Sequence, residues 1–390
     1  MARKLLHTFF IKIEGVSFME SLKSSNKMLA LVMLIPLTIF CKIFQFSVLP
    51  SKYFYDSSRM LSMSTGSNTM EAWGDAYEIV SELFKKINIL GYTSLQDWSY
   101  TLAFIFIFIM FFMIIRIESL DNLQLFFVFC SVGLLNIYIF NISKDVIQYG
   151  IFFLMYLVII NKKLPKILKV LLCFYIFFWE SSFFRSYYIL MGILFIILYI
   201  LIKTVQFKIK NMNKKTVLII FIIIFISMYA LIYTSQFISY EDYERLINIR
   251  YTVPNQGAVS AINNWIDDRG SLSLYMVNYI INAVRMMFPI ELLLNGPFYM
   301  PFVVYQGFIL YYLVKTMGNL NKNTNEIVVL ALSSFIAYLL VSFTFEPDFG
   351  SFVRHEAATF PILHLIVLDK ENYKFRREKW KEESLIPFIE

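Results

Sequence analysis

Residues 343–361 read FTFEPDFGSFVRHEAATFP and set Glu346, Asp348, Arg354, His355 and Glu356 between two stretches apolar enough to lie in lipid. Ionisable groups are costly there and persist where they pair or bind something polar. His355 could move a proton near neutrality; the bland alternative is a hydrogen-bonding strut beside Arg354. Glu346 before Pro347, and Asp348 before Phe349-Gly350, could equally shape a turn. A metal site built from Glu346, Asp348 and Glu356 is disfavoured, because cations from other segments outnumber these acids. No metal or other cofactor is therefore expected.

Similar polar groups interrupt other apolar runs. NISKDVIQYG carries Lys144 and Asp145, and WESSFFRSYY carries Glu180, Arg185, Tyr187 and Tyr188. Arg250, Arg269 and Arg285 fall in the segment from 237 to 300. A single Lys or Arg at the end of a span is ordinarily an anchor that reaches to the headgroups. Convergence of Lys144, Arg185, Arg285 and Arg354 would instead make a basic pocket at a membrane surface. Arginine holds phosphate through two parallel hydrogen bonds, so that pocket suits a lipid-linked pyrophosphate. Nearby acids would supply a base or position the arginines, with His355, Glu180 and Glu346 as the candidate bases.

These residues need a membrane scaffold. The 390 residues are 58% hydrophobic and 16% charged, well below the charge of a soluble domain. Runs such as TLAFIFIFIMFFMII approach the length of a bilayer crossing. The expected fold is an all-α polytopic membrane protein with spans near 28–49, 99–116, 123–140, 146–161, 166–180, 186–203, 215–236, 301–317, 326–344 and 356–369. The first is read as an uncleaved span. The basic loops NKKLPK and KTVQFKIKNMNKK, and the tail DKENYKFRREKWK, mark the cytoplasmic side. Placing both termini there makes the number of crossings even. The stretch 275–294, with Asn278, Asn282, Arg285, Pro289 and Glu291, then becomes a re-entrant or in-plane helix, with eleven spans as the alternative.

One transmembrane domain over 1–390 is expected, with outer segments 50–98 and 237–300 and a basic cytoplasmic tail at 370–390. Asn68 and Glu71 have capping-box spacing ahead of an amphipathic helix. Its Trp73, Ala76, Tyr77, Val80, Leu83, Phe84 and Ile87 are expected on one face. The basic balance, +7 overall, lies in short loops beside spans, which argues for membrane orientation rather than nucleic-acid binding. Three cysteines without paired spacing and three histidines give neither a disulfide framework nor a zinc centre.

In its topology, and in the segments SKDVIQYGIFFLMYLVI (143–159), SSFFRSYYILMGIL (181–194) and 343–361, the chain resembles the bacterial O-antigen and capsular polysaccharide polymerases (Wzy type). That family is broadly similar to the O-antigen ligases. The resemblance implies a glycosyltransferase of the inner membrane with its site at the periplasmic face. Undecaprenyl-pyrophosphate-linked oligosaccharide would be both donor and acceptor, without a required metal, and a chain-length regulator is an admissible further partner. It also implies that Arg185 and Arg354 hold the donor pyrophosphate. The ligases carry a histidine in their long outer loop, whereas residues 237–274 contain none. A lipid-linked oligosaccharide flippase is the competing reading, weakened by the lack of an internal repeat and by charges gathered at the outer rim.

Overall fold

A computed structural model describes residues 25–67, 74–117, 119–208, 214–252, 260–294, 296–320 and 325–367, together with residues 70 and 72. Its regular elements are all helical, and the described residues divide into two compact units, one up to residue 147 and the other from 148 to 367. Among the described residues, six helices are long and apolar enough to cross a membrane. The basic leader before residue 25, the Asn68–Glu71 pair, Trp73 and the 370–390 tail lie outside the described residues.

In the first unit, α1 (Ser25–Ser47) is followed by α2 (Tyr55–Thr65) and α3 (Asp75–Ile87). Next come α4 (Leu95–Ile115) and α5 (Asn122–Leu134), which runs into a π turn at Leu135–Ile139. α1 packs on both α4 and α5. Local chemistry sets the helix starts. Ser94 accepts from the Asp97 amide to begin α4, and Asp121 with Gln124 forms a complete capping box for α5. In α3 the apolar positions do not share one face. Tyr77, Val80 and Phe84 are buried, Phe84 edge-on to Trp98, whereas Leu83 and Ile87 are exposed. The helix therefore carries two apolar stripes, one for the protein and one facing outward.

Lys42, inside α1, is buried in this unit. Its ammonium donates to Ser99 Oγ at 2.6 Å, the Phe140 carbonyl at 2.8 Å, Gln45 Oε1 at 3.1 Å and the Asn136 carbonyl. The π turn explains the Asn136 carbonyl, since Phe140 N–H bonds Leu135 instead, and Phe140 offers its own carbonyl from the end of that turn.

α6 (Lys144–Ile160) leaves its first turn in the first unit. The second unit continues with α7 (Lys166–Phe183), α8 (Tyr188–Lys208), α9 (Lys214–Ile238), α10 (Tyr240–Ile247) and α11 (Ile249–Thr252). Then come α12 (Leu272–Met287), α13 (Glu291–Leu294), α14 (Met300–Gly318), α15 (Glu326–Phe345), α16 (Phe349–Ala358) and α17 (Phe360–Val367). α15 is buried along nearly its whole length and packs on α8, α12 and α17. α7 and α8 meet closely at Gly192, where an added Cβ would lie 3.2 Å from the Phe174 ring. By contrast, α9 exposes Leu218, Ile219, Phe221, Ile222 and Ile226.

The segment between the expected spans 326–344 and 356–369 is helical from Phe349 onward. Asp348 makes this possible: its carboxylate accepts from the Ser351 amide at 2.8 Å and caps the new helix, two residues after α15 ends in an extended Glu346. Arg354 and His355 are consequently helical residues.

Candidate active site

α15 ends, α16 begins and the α7–α8 turn closes at the same end of the second unit. Tyr187, in that turn, stacks on Phe345, the last residue of α15, with ring centroids 4.3 Å apart. This contact brings together residues far apart in the sequence. Glu346 caps the C-terminus of α15, and its Oε1 lies 2.8 Å from His355 Nδ1, nine residues on, across the Pro347 turn. Both side chains are buried. His355 Nε2 faces the Arg185 guanidinium at 3.5 Å, a long contact, while Arg185 also donates to Tyr187 Oη at 2.9 Å.

The chemistry of these partners fixes the imidazole. A carboxylate only accepts and a guanidinium only donates. The ring that satisfies both carries its proton on Nδ1 and offers the Nε2 lone pair. Burial works to raise the Glu346 carboxyl, but His355, Arg185 and Arg354 outweigh it and hold the group below the usual carboxylate range. Glu346 therefore stays ionised and acts as a fixed acceptor for Nδ1–H.

Two further acids sit within this end of the unit. Glu180, one turn before the end of α7, is fully buried; neither carboxylate oxygen has a hydrogen-bond partner, and the charge that reaches it is that of Arg185. Glu356, next to His355, is also fully buried. Its Oε1 accepts weakly from Gln306 Nε2 at 3.4 Å, and its Oε2 is unpartnered. The Tyr188 hydroxyl, at the start of α8, is buried without a partner and within electrostatic reach of both Glu180 and Arg185. Unsatisfied buried polar groups are rare in folded proteins; Gln148 in α6 carries two more, so what sets these acids apart is their place beside Arg185 and His355.

The expected residues thus divide. Arg185, Tyr188, Glu180, Glu346, His355 and Arg354 come together, Arg354 being close enough for its charge to act on Glu346. Arg250 stands beside them in a supporting role, donating to the Phe343 carbonyl at 2.9 Å and the Glu346 carbonyl at 2.7 Å. These are C-terminal carbonyls of α15, which lack partners within their helix, so Arg250 closes the end that bears the orienting acid. Arg285 is committed elsewhere. It grips Glu291 through two contacts of 2.6 and 2.8 Å and also donates to Asn282 Oδ1 and the Asn263 carbonyl. Lys144 belongs to the first unit, where its ammonium lies 3.8 Å from the centre of the Tyr77 ring.

Asp348, Glu346 and Glu356 turn to different partners: a helix cap, an imidazole and an amide. No group of three or more His, Cys, Asp or Glu side chains suited to a metal ion occurs among the described residues. Sequence reasoning missed the Tyr187 bridge to Phe345 and the pairing of Gln306 with Glu356. A Gln inside the apolar run of α14 was the available signal for the second. Comparison of the chain with protein-family models, curated proteins and solved structures gives no match, so the chemistry rests on these residues.

Proposed function

We propose that this protein joins oligosaccharide repeat units carried on undecaprenyl pyrophosphate, as a polymerase of O-antigen or capsular polysaccharide at the periplasmic face of an inner membrane. The observation that carries this reading is the Glu346–His355–Arg185 array: an oriented imidazole with its second nitrogen beside a guanidinium. An acceptor hydroxyl gives its proton to His355 Nε2 as its oxygen bonds to the anomeric carbon of the donor sugar. The bond from that carbon to the pyrophosphate oxygen breaks, and the lipid pyrophosphate leaves with the electron pair. Arg185 and Arg354 stabilise the growing negative charge. In this scheme Glu346 positions His355, and Glu180 faces the cationic side of the site.

The opposite end of the second unit supports the orientation. There Lys203 pairs with Glu326 at 2.5 Å, Tyr199 donates to the same carboxylate at 2.6 Å, and Lys162, Lys163 and Lys166 cluster in sequence at the start of α7. Lysine-rich ends face the cytoplasm, which leaves the arginine-and-histidine end outside. About ten crossings go with this reading, with α12, which carries Asn278, Asn282 and Arg285, in-plane or re-entrant.

The test is reconstitution of the purified protein with lipid-linked repeat units, read by electrophoresis of the glycan. A ladder of joined units supports the reading; units that stay single, or that merely cross the bilayer, overturn it. Membrane-impermeant thiol labelling of Asp267→Cys, but not of Lys163→Cys, in intact cells is the matching topological expectation.

A further inference from the structure

We propose that Trp265 is a stacking platform for a sugar ring of the substrate oligosaccharide, a subsite set beside the Glu346–His355–Arg185 array. The inference rests on the lipid-linked oligosaccharide reading and names where part of that substrate binds.

Trp265 is 67% exposed, yet its loop is held firmly. Buried Asp268 accepts from Tyr251 Oη at 2.6 Å, from Asn278 Nδ2 at 2.8 Å and from Asn264 Nδ2 at 3.0 Å. Asn278 also bonds both the amide and the carbonyl of Ile266. Upstream, the chain pairs with the beginning of α16: Phe349 donates to the Ser260 carbonyl and Ile262 donates to the Pro347 carbonyl, each at 3.0 Å. A large aromatic ring that stays two-thirds exposed on a loop held this firmly leaves most of its surface unused by the fold.

Its surroundings suit a sugar better than lipid. Asn263, Asp267 and Arg269 beside it are exposed, and the last two form a bidentate pair at 2.7 and 2.9 Å. Such groups belong in water and match the hydroxyls at the edge of a pyranose, whose C–H face packs on an indole. The Arg285 guanidinium lies 5.1 Å from the Trp265 ring and 5.8 Å from that of Phe349, tying the platform to α16. Phe349 stands six residues before His355 on that helix, about 9 Å along the axis. From the indole through the Arg285 guanidinium to Phe349 is at most about 11 Å, so the whole path from Trp265 to His355 is of the order of four sugar rings, within reach of an oligosaccharide. The commitment of Arg285 to Glu291 thereby gains a purpose: it holds the platform rather than the phosphate.

Three variants separate stacking from bulk: Trp265→Ala, Trp265→Leu and Trp265→Tyr. The expected result is a KM for lipid-linked repeat unit raised about tenfold in the Ala and Leu proteins, with kcat nearly unchanged and Tyr close to wild type. Binding is read separately. The emission difference between wild type and Trp265→Phe reports Trp265 alone, and it should shift on titration with the reducing oligosaccharide of one repeat unit, released from the host's surface glycan. A Leu protein indistinguishable from Tyr, or no emission shift, overturns the proposal. Quenching of that difference signal by brominated phospholipid would also overturn it, assigning Trp265 to the membrane surface. If units are joined normally while these arms fail, the platform alone is wrong. If no variant or wild-type protein joins units but the oligosaccharide still shifts the emission, the platform stands and the polymerase reading falls.

Discussion

Lys42 in the first unit and Arg185 in the second are both cations drawn into an apolar protein, and their surroundings are opposite in kind. The Lys42 ammonium meets neutral acceptors on every side, supplied by Gln45, Ser99 and the π turn. Its own donors are fully engaged, and Asn136 Oδ1 is the loose end beside it. Arg185 meets a phenol and an imidazole, and the acids near it, Glu180 above all, keep oxygens without donors. A closed polar network specifies structure, whereas an open one is held ready for a partner the protein does not itself contain.

The largest effects should fall at the open network. Arg185→Ala and His355→Gln should each slow joining of repeat units by at least about 100-fold, while the protein stays inserted and folded by gel filtration. Arg185→Lys should recover little, because a point charge lacks the two-pronged grip on phosphate. Full activity in the lysine protein would reduce Arg185 to a generic counter-charge.

At the closed network the loss should be of stability. Lys42→Met leaves the Asn136 and Phe140 carbonyls without their donor and should cost about 1–3 kcal/mol, measured by denaturation in bicelles. Activity per folded molecule should not change. A Lys42→Met protein that is stable but inactive would mean that the two regions do not differ as argued.

Arg250 stands between these cases, structural by its contacts yet next to the site. Arg250→Met should reduce kcat by about tenfold through a shifted α15 end, with KM moved less. A raised KM with intact kcat would make it a ligand of the substrate instead.

The smallest effect is the dependence on pH. Since the folded-state Glu346 carboxyl is held below its ordinary range, the stability it contributes is complete above that range and is lost as pH falls through the lowered value. The thermal midpoint of the wild type should decline as pH drops from about 5 towards 3. Glu346→Gln should be less stable at neutral pH and should lack that part of the decline.

Hydropathy made the helices legible, because each apolar run had to satisfy its backbone internally and had one economical way to do so. α15 and α8 lie close to where composition puts them. Pairings were less visible. Glu346 and His355 meet only because Pro347 and the Asp348 cap reverse the chain between α15 and α16, and nothing in FEPDFGSFVRHE sets that angle in advance. Arg285 reads as a pyrophosphate ligand by type and position, but Pro289 ends its helix and brings Glu291 back onto it. The π turn that opens the Asn136 carbonyl to Lys42 has no sequence signature at all.

α15 has a consequence beyond its place in the core. The acid that orients His355 is mounted on a rod of about 30 Å whose surroundings, on almost every side, are other side chains. For this helix the solvent is protein. A change in acyl-chain length or fluidity acts first on lipid-facing helices such as α9 and reaches Glu346 only after a packed layer has absorbed it. On the proposed reading, the imidazole is thereby insulated from the membrane that would deliver its substrate.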